Sequence, residues 1–304
     1  MLQGSPLLGA AYAMGAASVG RLAALAVFAA ADLLLVAHVF VLNDWAGIEA
    51  DLNDVNKVAG VFAAKGVSRD AIRRLWIGLL ALSLATFGLL GLRPLAIAAA
   101  IAAISCLYSR PASPAKGIPV LGSALHLVGG VLHFLLGVSL FRAVDGPALA
   151  LALFFGLVFA AGHLNQEVRD FDGDVGSEIK TNAVTFGKRT AFVAGLAGFT
   201  CAYALLVALA AGGVVPGWLA ALALLYPLHL YWSLQAIGEG LTFAGVRRFQ
   251  ARYRALYAVI GVAMLAALLS PPAPRDRAAA PRRPASAPAA LHPPLAPRGF
   301  SRNS

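Results

Sequence analysis

Long stretches with almost no charge alternate along this chain with short polar ones. Apolar runs cover about 5–18, 20–42, 71–91, 94–109, 119–141, 147–166, 190–211, 214–235 and 252–269. A helix needs about 20 apolar residues to cross roughly 30 Å of hydrocarbon. Most of these runs are just long enough, and 94–109 leaves room for tilt or re-entry. The runs are rich in Ala, Leu and Gly, which lets helices pack closely in lipid. The pattern predicts an all-α integral membrane protein of about nine transmembrane helices over residues 1–270. The short first run is expected as a truncated or partial span. It lacks the basic n-region and cleavage site of a signal peptide. Residues 271–304 are rich in Pro, Ala and Arg without apolar periodicity, and are expected to be a disordered tail.

The connecting loops also alternate. Those at 43–70, 110–118, 167–189 and 236–251 are long and charged, whereas those near 19, 92, 142 and 212 are short. Fifteen of the 24 Lys and Arg residues belong to the long loops, three to the short ones and six to the tail. Positive loops stay on the cytoplasmic side, so the long loops are expected there, in a multi-pass protein of a bacterial inner membrane. Nine spans would carry the basic tail to the other side.

Composition narrows the class further. The chain of 304 residues is 60% hydrophobic and 12% charged, with a mean hydropathy of +0.77; soluble domains are nearer a quarter charged. The formal charge of +10 does not mark a nucleic-acid binder, because the basic residues sit between apolar runs, where they meet anionic lipid headgroups. Cys106 and Cys201 lie in apolar runs and read as small core residues. No Cys or His spacing suggests a metal site. His38, His126, His133, His163 and His229 lie in or beside apolar runs and read as hydrogen-bonded structural groups. No obligate protein partner is evident.

The acidic residues carry the chemistry. Nine of the 14 fall in two windows. Asn43–Asp54 (NDWAGIEADLND) holds Asp44, Glu49, Asp51 and Asp54. Asn165–Glu178 (NQEVRDFDGDVGSE) holds Glu167, Asp170, Asp172, Asp174 and Glu178. Each window begins where an apolar run ends, and carboxylates at membrane depth mark function by default. On a continued helix Asp44 and Asp51 are two turns apart on one face, and Asp170 and Asp174 share a face at a spacing of four. Asp172 points the other way, and Glu49 and Asp54 are left unassigned. Two paired carboxylates facing a common space repel, and a divalent cation relieves this. Mg²⁺ takes few carboxylates and completes its shell with substrate phosphate oxygens. The inferred ligand is a Mg²⁺-bound phosphate or diphosphate. Lys116, Arg169 and Lys180 lie in the same layer and suit a polyanion.

These residues resemble the UbiA-type intramembrane prenyltransferases. The family's NDxxDxxxD-like first motif is matched by Asn43-Asp44-x-x-Gly47-x-x-x-Asp51. Its DxxxD second motif is matched by Asp170-x-x-x-Asp174, followed by IKTNAVTFG at Ile179–Gly187. Tyr108-Ser109-Arg110-Pro111 through Lys116 to Pro119 is similar to the family's Y-S-x-P…L-K…P loop. The likeness covers about residues 5–270. Three departures stand out. Gly47 replaces the family's middle Asp, the stretch NKVAGVFAAKG at Asn56–Gly66 is degenerate, and Glu178 stands near where Gly is common.

The resemblance implies a bundle around a lipid-accessible cavity. A polyprenyl diphosphate would set its head among the carboxylates and its tail among the helices. Asp44 and Asp51 on one side and Asp170 and Asp174 on the other would hold Mg²⁺. Lys116, Arg169 and Lys180 would neutralise the diphosphate, Tyr108 would face the cation-like allylic fragment, and Asn43 and Asn165 would orient acceptor or metal waters. The acceptor, aromatic or otherwise lipophilic, is left open. A cation-coupled transporter is the rival of another class, although transport favours repeats and acids at the midplane. Gly47 keeps a cyclase-like or non-catalytic family member in view.

Overall fold

The computed structural model describes residues 4–109 and 114–269, and among these there are helices, turns and no strands. The helices are α1 (Gly4–Met14), α2 (Val19–Asn53), α3 (Arg69–Leu90), α4 (Leu92–Ser109), α5 (Leu121–Phe141), α6 (Gly146–Arg169), α7 (Phe171–Gly176), α8 (Asn182–Phe186), α9 (Lys188–Ala211), α10 (Tyr226–Gly238) and α11 (Phe243–Leu269). Short 3₁₀ turns cover Val58–Gly60, Ala63–Lys65 and Pro114–Gly117, and a longer one, Gly217–Leu225, leads into α10. Eight of the described helical segments are long and apolar enough to cross a membrane. The expected tail lies outside the described residues.

The first run is the partial span expected, and one boundary changes. The first apolar run forms only the 11 residues of α1, about 16 Å at 1.5 Å per residue, too short to span. The last helix starts at Phe243, nine residues before the apolar run suggested. The segment 243–251 is amphipathic, not a loop: Val246, Phe249 and Gln250 are buried while Arg247 and Arg248 are not. The two arginines masked the buried stripe.

Local signals set the helix ends. Ser18 caps α2 by accepting from the Arg21 amide, Ser68 caps α3 from Ala71, and Asp145 caps α6 from Ala148 at 2.8 Å. Gly91, at φ +125°, turns the chain between α3 and α4. α2 runs for 35 residues, about 50 Å, so its last turns pass beyond the hydrocarbon and lift the first acidic window into the interface.

Packing is by close backbone approach. α1 lies on α5, where a Cβ at Gly9 would strike the Phe134 carbonyl and one at Gly137 the Pro6 carbonyl. α5 meets α6 in the same way, with a Cβ at Gly130 falling 2.9 Å from the Gly156 Cα. The main core joins α5, α6, α9, α10 and α11 around Phe154, Phe192, Phe199 and Tyr257, and a second core joins α1–α5 around Phe28 and Phe87. Outside these cores Leu22, Leu82, Leu89, Leu224 and Val262 are exposed, Leu89 at 85%. A soluble monomer rarely exposes that much apolar surface, and a bilayer covers it.

Three contacts gather the long connections at one end. Lys57, after α2, reaches Asp170 after α6. The Val120 amide donates to Asn182 Oδ1 at 2.7 Å, and Arg169 reaches Gln250 on α11.

Candidate active site

α2 stays helical to Asn53, so Asp44, Gly47 and Asp51 share the face that the spacing predicted. A Cβ at Gly47 would sit 3.2 Å from Asp51 Oδ2, and the Asp44 and Asp51 charges feel one another. The middle carboxylate missing at Gly47 would therefore have joined the same pair. Beyond α2 the chain turns through an Asx turn in which Asp54 Oδ1 accepts from the Asn56 amide at 2.8 Å. That turn aims Lys57 back toward the bundle.

The second window breaks its helix. α6 ends at Arg169, Asp170 adopts φ −90° and ψ 6°, and α7 restarts at Phe171. The Asp174 amide still bonds the Asp170 carbonyl at 2.9 Å, which keeps the two carboxylates on one side. Asp172 points outward, 73% exposed, and pairs with Lys188 at 3.2 Å. Gly173 makes the close approach between the windows, since a Cβ there would strike the Asp54 carboxylate.

Lys57 joins the windows. Its ammonium lies 3.1 Å from Asp170, 3.4 Å from Asp51 and 3.9 Å from Asp54. Burial disfavours its charge, but Asp170 and Asp51 outweigh burial and hold its pKa above the usual lysine value. Asp170 is also gripped by Arg169 through a two-point fork, Nε to Oδ1 at 2.6 Å and Nη2 to Oδ2 at 2.9 Å. Burial pushes its pKa upward, yet Arg169 and then Lys57 hold it below the usual range. Asp174 differs. It is 5% exposed, and burial raises its pKa to about 6 against the pull of Lys116 and Lys57. Spacing does not single out Lys57, because the stretch Asn56–Gly66 around it departs from the resembling family's pattern. The available signal was a lysine three residues beyond Asp54.

The other predicted residues spread around this centre. Lys116, in the 3₁₀ turn Pro114–Gly117, is half-buried and acts on Asp174 electrostatically. Lys180 is exposed, but its backbone lies against Gly117. Asn43 is half-buried on α2. Asn165 is buried and turned toward α9, where a Cβ at Gly195 would sit 3.0 Å from its Nδ2. It donates to the Ala161 carbonyl, and its Oδ1 has no partner. Tyr108 stands at the end of α4 with its ring against His126 and His163. Two backbone positions near the site are left-handed, Val120 at φ 68° and Glu178 at φ 56°. The second explains why glycine is common there in the resembling family.

An ammonium held by carboxylates from both windows shows that their meeting point suits a cation. Among the described residues, no three His, Cys, Asp or Glu side chains form a ready-made metal cluster. Mg²⁺, which takes few carboxylates and completes its shell with phosphate oxygens, would fit such a pair. Away from the carboxylates, a cavity of about 350 Å³ opens between α1, α5, α6 and α11. It is almost wholly apolar, with Leu8, His133, Phe155, Phe159 and Ile260 in its wall.

An all-α, multi-pass membrane protein whose acidic and basic groups meet at one pole is the class that fold and site define. The sequence matches the UbiA prenyltransferase family over residues 5–240, and the chain belongs to that family. No curated protein matches it at the sequence level. Solved structures share the fold at low identity. A digeranylgeranylglyceryl phosphate synthase studied in membranes is 16% identical, with a TM-score of 0.65 over 88% of this chain and 92% of its own. A UbiA homologue from Archaeoglobus fulgidus bound to GPP and Mg²⁺ is 18% identical, with a TM-score of 0.63 over 87% of this chain and 96% of its own. The same homologue bound to DMAPP and Mg²⁺ is 19% identical with a TM-score of 0.60, covering 87% of this chain and 96% of that one.

Proposed function

We propose that this chain transfers a prenyl group from a Mg²⁺-bound polyprenyl diphosphate to an aromatic or other lipophilic acceptor at the cytoplasmic face of the membrane. The observation that carries this reading is the meeting of the two acidic windows across Lys57. It puts Asp51 and Asp170, from distant parts of the chain, within 3.1–3.4 Å of one positive charge.

Asp44, Asp51, Asp170 and Asp174 are the residues that would hold Mg²⁺. Bound there, the ion supplies Lewis-acid stabilisation to the departing pyrophosphate. Arg169 positions Asp170 and contributes fixed charge, while Lys57, Lys116 and Lys180 offer ammonium groups to the diphosphate oxygens. Asn43 is the better candidate for orienting the acceptor, since Asn165 is buried against α9. The apolar cavity suits an isoprenoid tail, and the Tyr108 ring suits the allylic fragment left when the C–O bond breaks. A transporter is less well supported, because the carboxylates of both acidic windows gather at one end of the helices, and the one acid buried within α2, Asp32, stands apart from them.

The test is incubation of purified protein with Mg²⁺ and prenyl diphosphates of several lengths, with and without a panel of acceptors. Acceptor-dependent prenylation, abolished by EDTA, is expected. Pyrophosphate release without an acceptor would favour the cyclase-like reading that Gly47 suggests. Release under no condition would defeat the enzyme reading.

A further inference from the structure

Between the acidic pole and the apolar cavity, α4, α5 and α6 bring together ionisable side chains that metal and diphosphate binding leave unused, with Asn182 of α8 beside them. The His126 and His163 rings stack at 3.6 Å with 9° between their planes, and the Tyr108 ring stands edge-on to both, at 4.9 and 5.9 Å. Behind His163 lies Glu167, 5% exposed. Its Oε2 accepts from the Asn182 amide at 3.0 Å and its Oε1 from Asn182 Nδ2 at 3.1 Å. His163 Nε2 is 3.0 Å from Oε1, off the line of an ideal hydrogen bond. Gly122 makes room for the group, since a Cβ there would meet His163, Tyr108 and Glu167 between 3.2 and 3.8 Å.

The hydrogen bonds fix where the protons are. His126 Nδ1 is 2.8 Å from the Gly122 carbonyl. A carbonyl only accepts, so Nδ1 carries the hydrogen and Nε2 keeps a bare lone pair. Glu167 is already met by Asn182 and His163, and it suits the role of a fixed negative charge. On its other side His126 stacks with Phe159 at 6.0 Å, and Phe159 lines the apolar cavity. The His126 ring is thus sandwiched between Phe159, in the cavity wall, and His163, which pairs with the buried Glu167.

We propose that His126 is the general base of the transfer and that Glu167 acts through His163 as a positioning and charge-balancing residue. The inference rests on the prenyltransferase reading and adds the group that takes the acceptor's proton. In the reaction the allylic C–O bond breaks and its electron pair leaves with pyrophosphate. The acceptor forms a bond to the allylic carbon and must give up one proton. That proton goes to His126 Nε2 and leaves afterwards to solvent. The carboxylates of the pole are poor candidates for this step, since Asp51 and Asp170 are bound to cations. The imidazolium that forms is offset by Glu167. The ionisable groups facing His126 are Tyr108 from α4 and His163 with Glu167 from α6. His133 lies two turns away on its own helix, and Asp170 and Asp174 are felt by the Tyr108 hydroxyl.

The experiment uses full-length protein in lipid nanodiscs with Mg²⁺, geranyl diphosphate and a panel of phenols and enols. Three quantities are read: acceptor-dependent product rate against pH, pyrophosphate release without acceptor, and binding of unreactive geranyl thiodiphosphate with Mg²⁺. His126→Asn keeps a donor for the Gly122 carbonyl but has no base. Transfer should fall about a hundredfold and the acidic limb of the pH profile should vanish, with analogue binding unchanged. Glu167→Gln keeps the shape and removes the charge. It should move the acidic limb to lower pH, because the imidazolium loses its counter-charge. Near-normal transfer in His126→Asn, an unaltered acidic limb, or loss of analogue binding together with transfer would each overturn the assignment, the last by making the residue structural. Wild-type protein that transfers to no hydroxylated acceptor, yet releases pyrophosphate, would sink the transferase reading and the base with it.

Discussion

At the scale of single residues, the two acids of the second motif do different work. Asp170 is neutralised by Arg169 and Lys57, while Asp174 is buried with no such fork. Asp170→Asn and Asp174→Asn are each expected to lower prenyl transfer by about a hundredfold or more, roughly 3 kcal/mol of lost electrostatic stabilisation, with the protein still folded in detergent. Asp172→Asn should leave the rate nearly unchanged, because that carboxylate faces outward to Lys188. Comparing the three turnover rates at equal protein levels checks this, and equal losses would mean a diffuse acidic surface. Lys57 yields a second expectation. Its ammonium competes with any divalent ion for Asp51 and Asp170. Lys57→Met should tighten Mn²⁺ binding in the absence of diphosphate by roughly three- to tenfold, as expected for a half-buried ion pair, in an EPR titration. Unchanged or weaker binding would show that Lys57 does not occupy the cation position. The acids themselves were legible, since helical spacing alone puts Asp44 with Asp51 and Asp170 with Asp174. Lys57 and the His126–His163 stack were not. Each depends on distant segments meeting: Lys57 follows a non-helical turn whose direction no periodicity encodes, and the histidines sit on different helices.

At the scale of elements, periodicity located the spanning helices but missed where charge rides on an amphipathic turn. The start of α11 was hidden by Arg247 and Arg248, although Val246, Phe249 and Gln250 mark its buried stripe. Its first turns matter to the site, because Gln250 accepts from Arg169 at 3.1 Å and so braces the fork on Asp170. The turn after α7 carries a readable cost. Glu178 is exposed and left-handed at φ 56°, where an L side chain is strained by about 1 kcal/mol relative to glycine. Glu178→Gly should raise thermal stability by about that amount, and the melting temperature in detergent measures it. A lower melting temperature would mean that the Glu178 side chain makes up for its backbone.

At the scale of the whole molecule, the exposed belt of leucine and valine and the single polar pole divide the surface between lipid and interface. Activity is expected to need only the bundle. Residues 271–304, outside the described residues, contain no apolar run that could join a core. Truncation after Ser270 should leave membrane-bound turnover nearly intact, and a large loss at equal protein level would assign the segment a part in the site. The short α1 has a wider consequence. Its 11 described residues line the apolar cavity together with α11, and on the proposed reading that side of the cavity would face the acyl chains. A long isoprenoid would then arrive sideways from the leaflet without passing through water. If the proposed transfer holds, the governing concentration is the substrate's mole fraction in the bilayer, and added lipid should slow the reaction as a two-dimensional dilution while the bulk concentration stays the same.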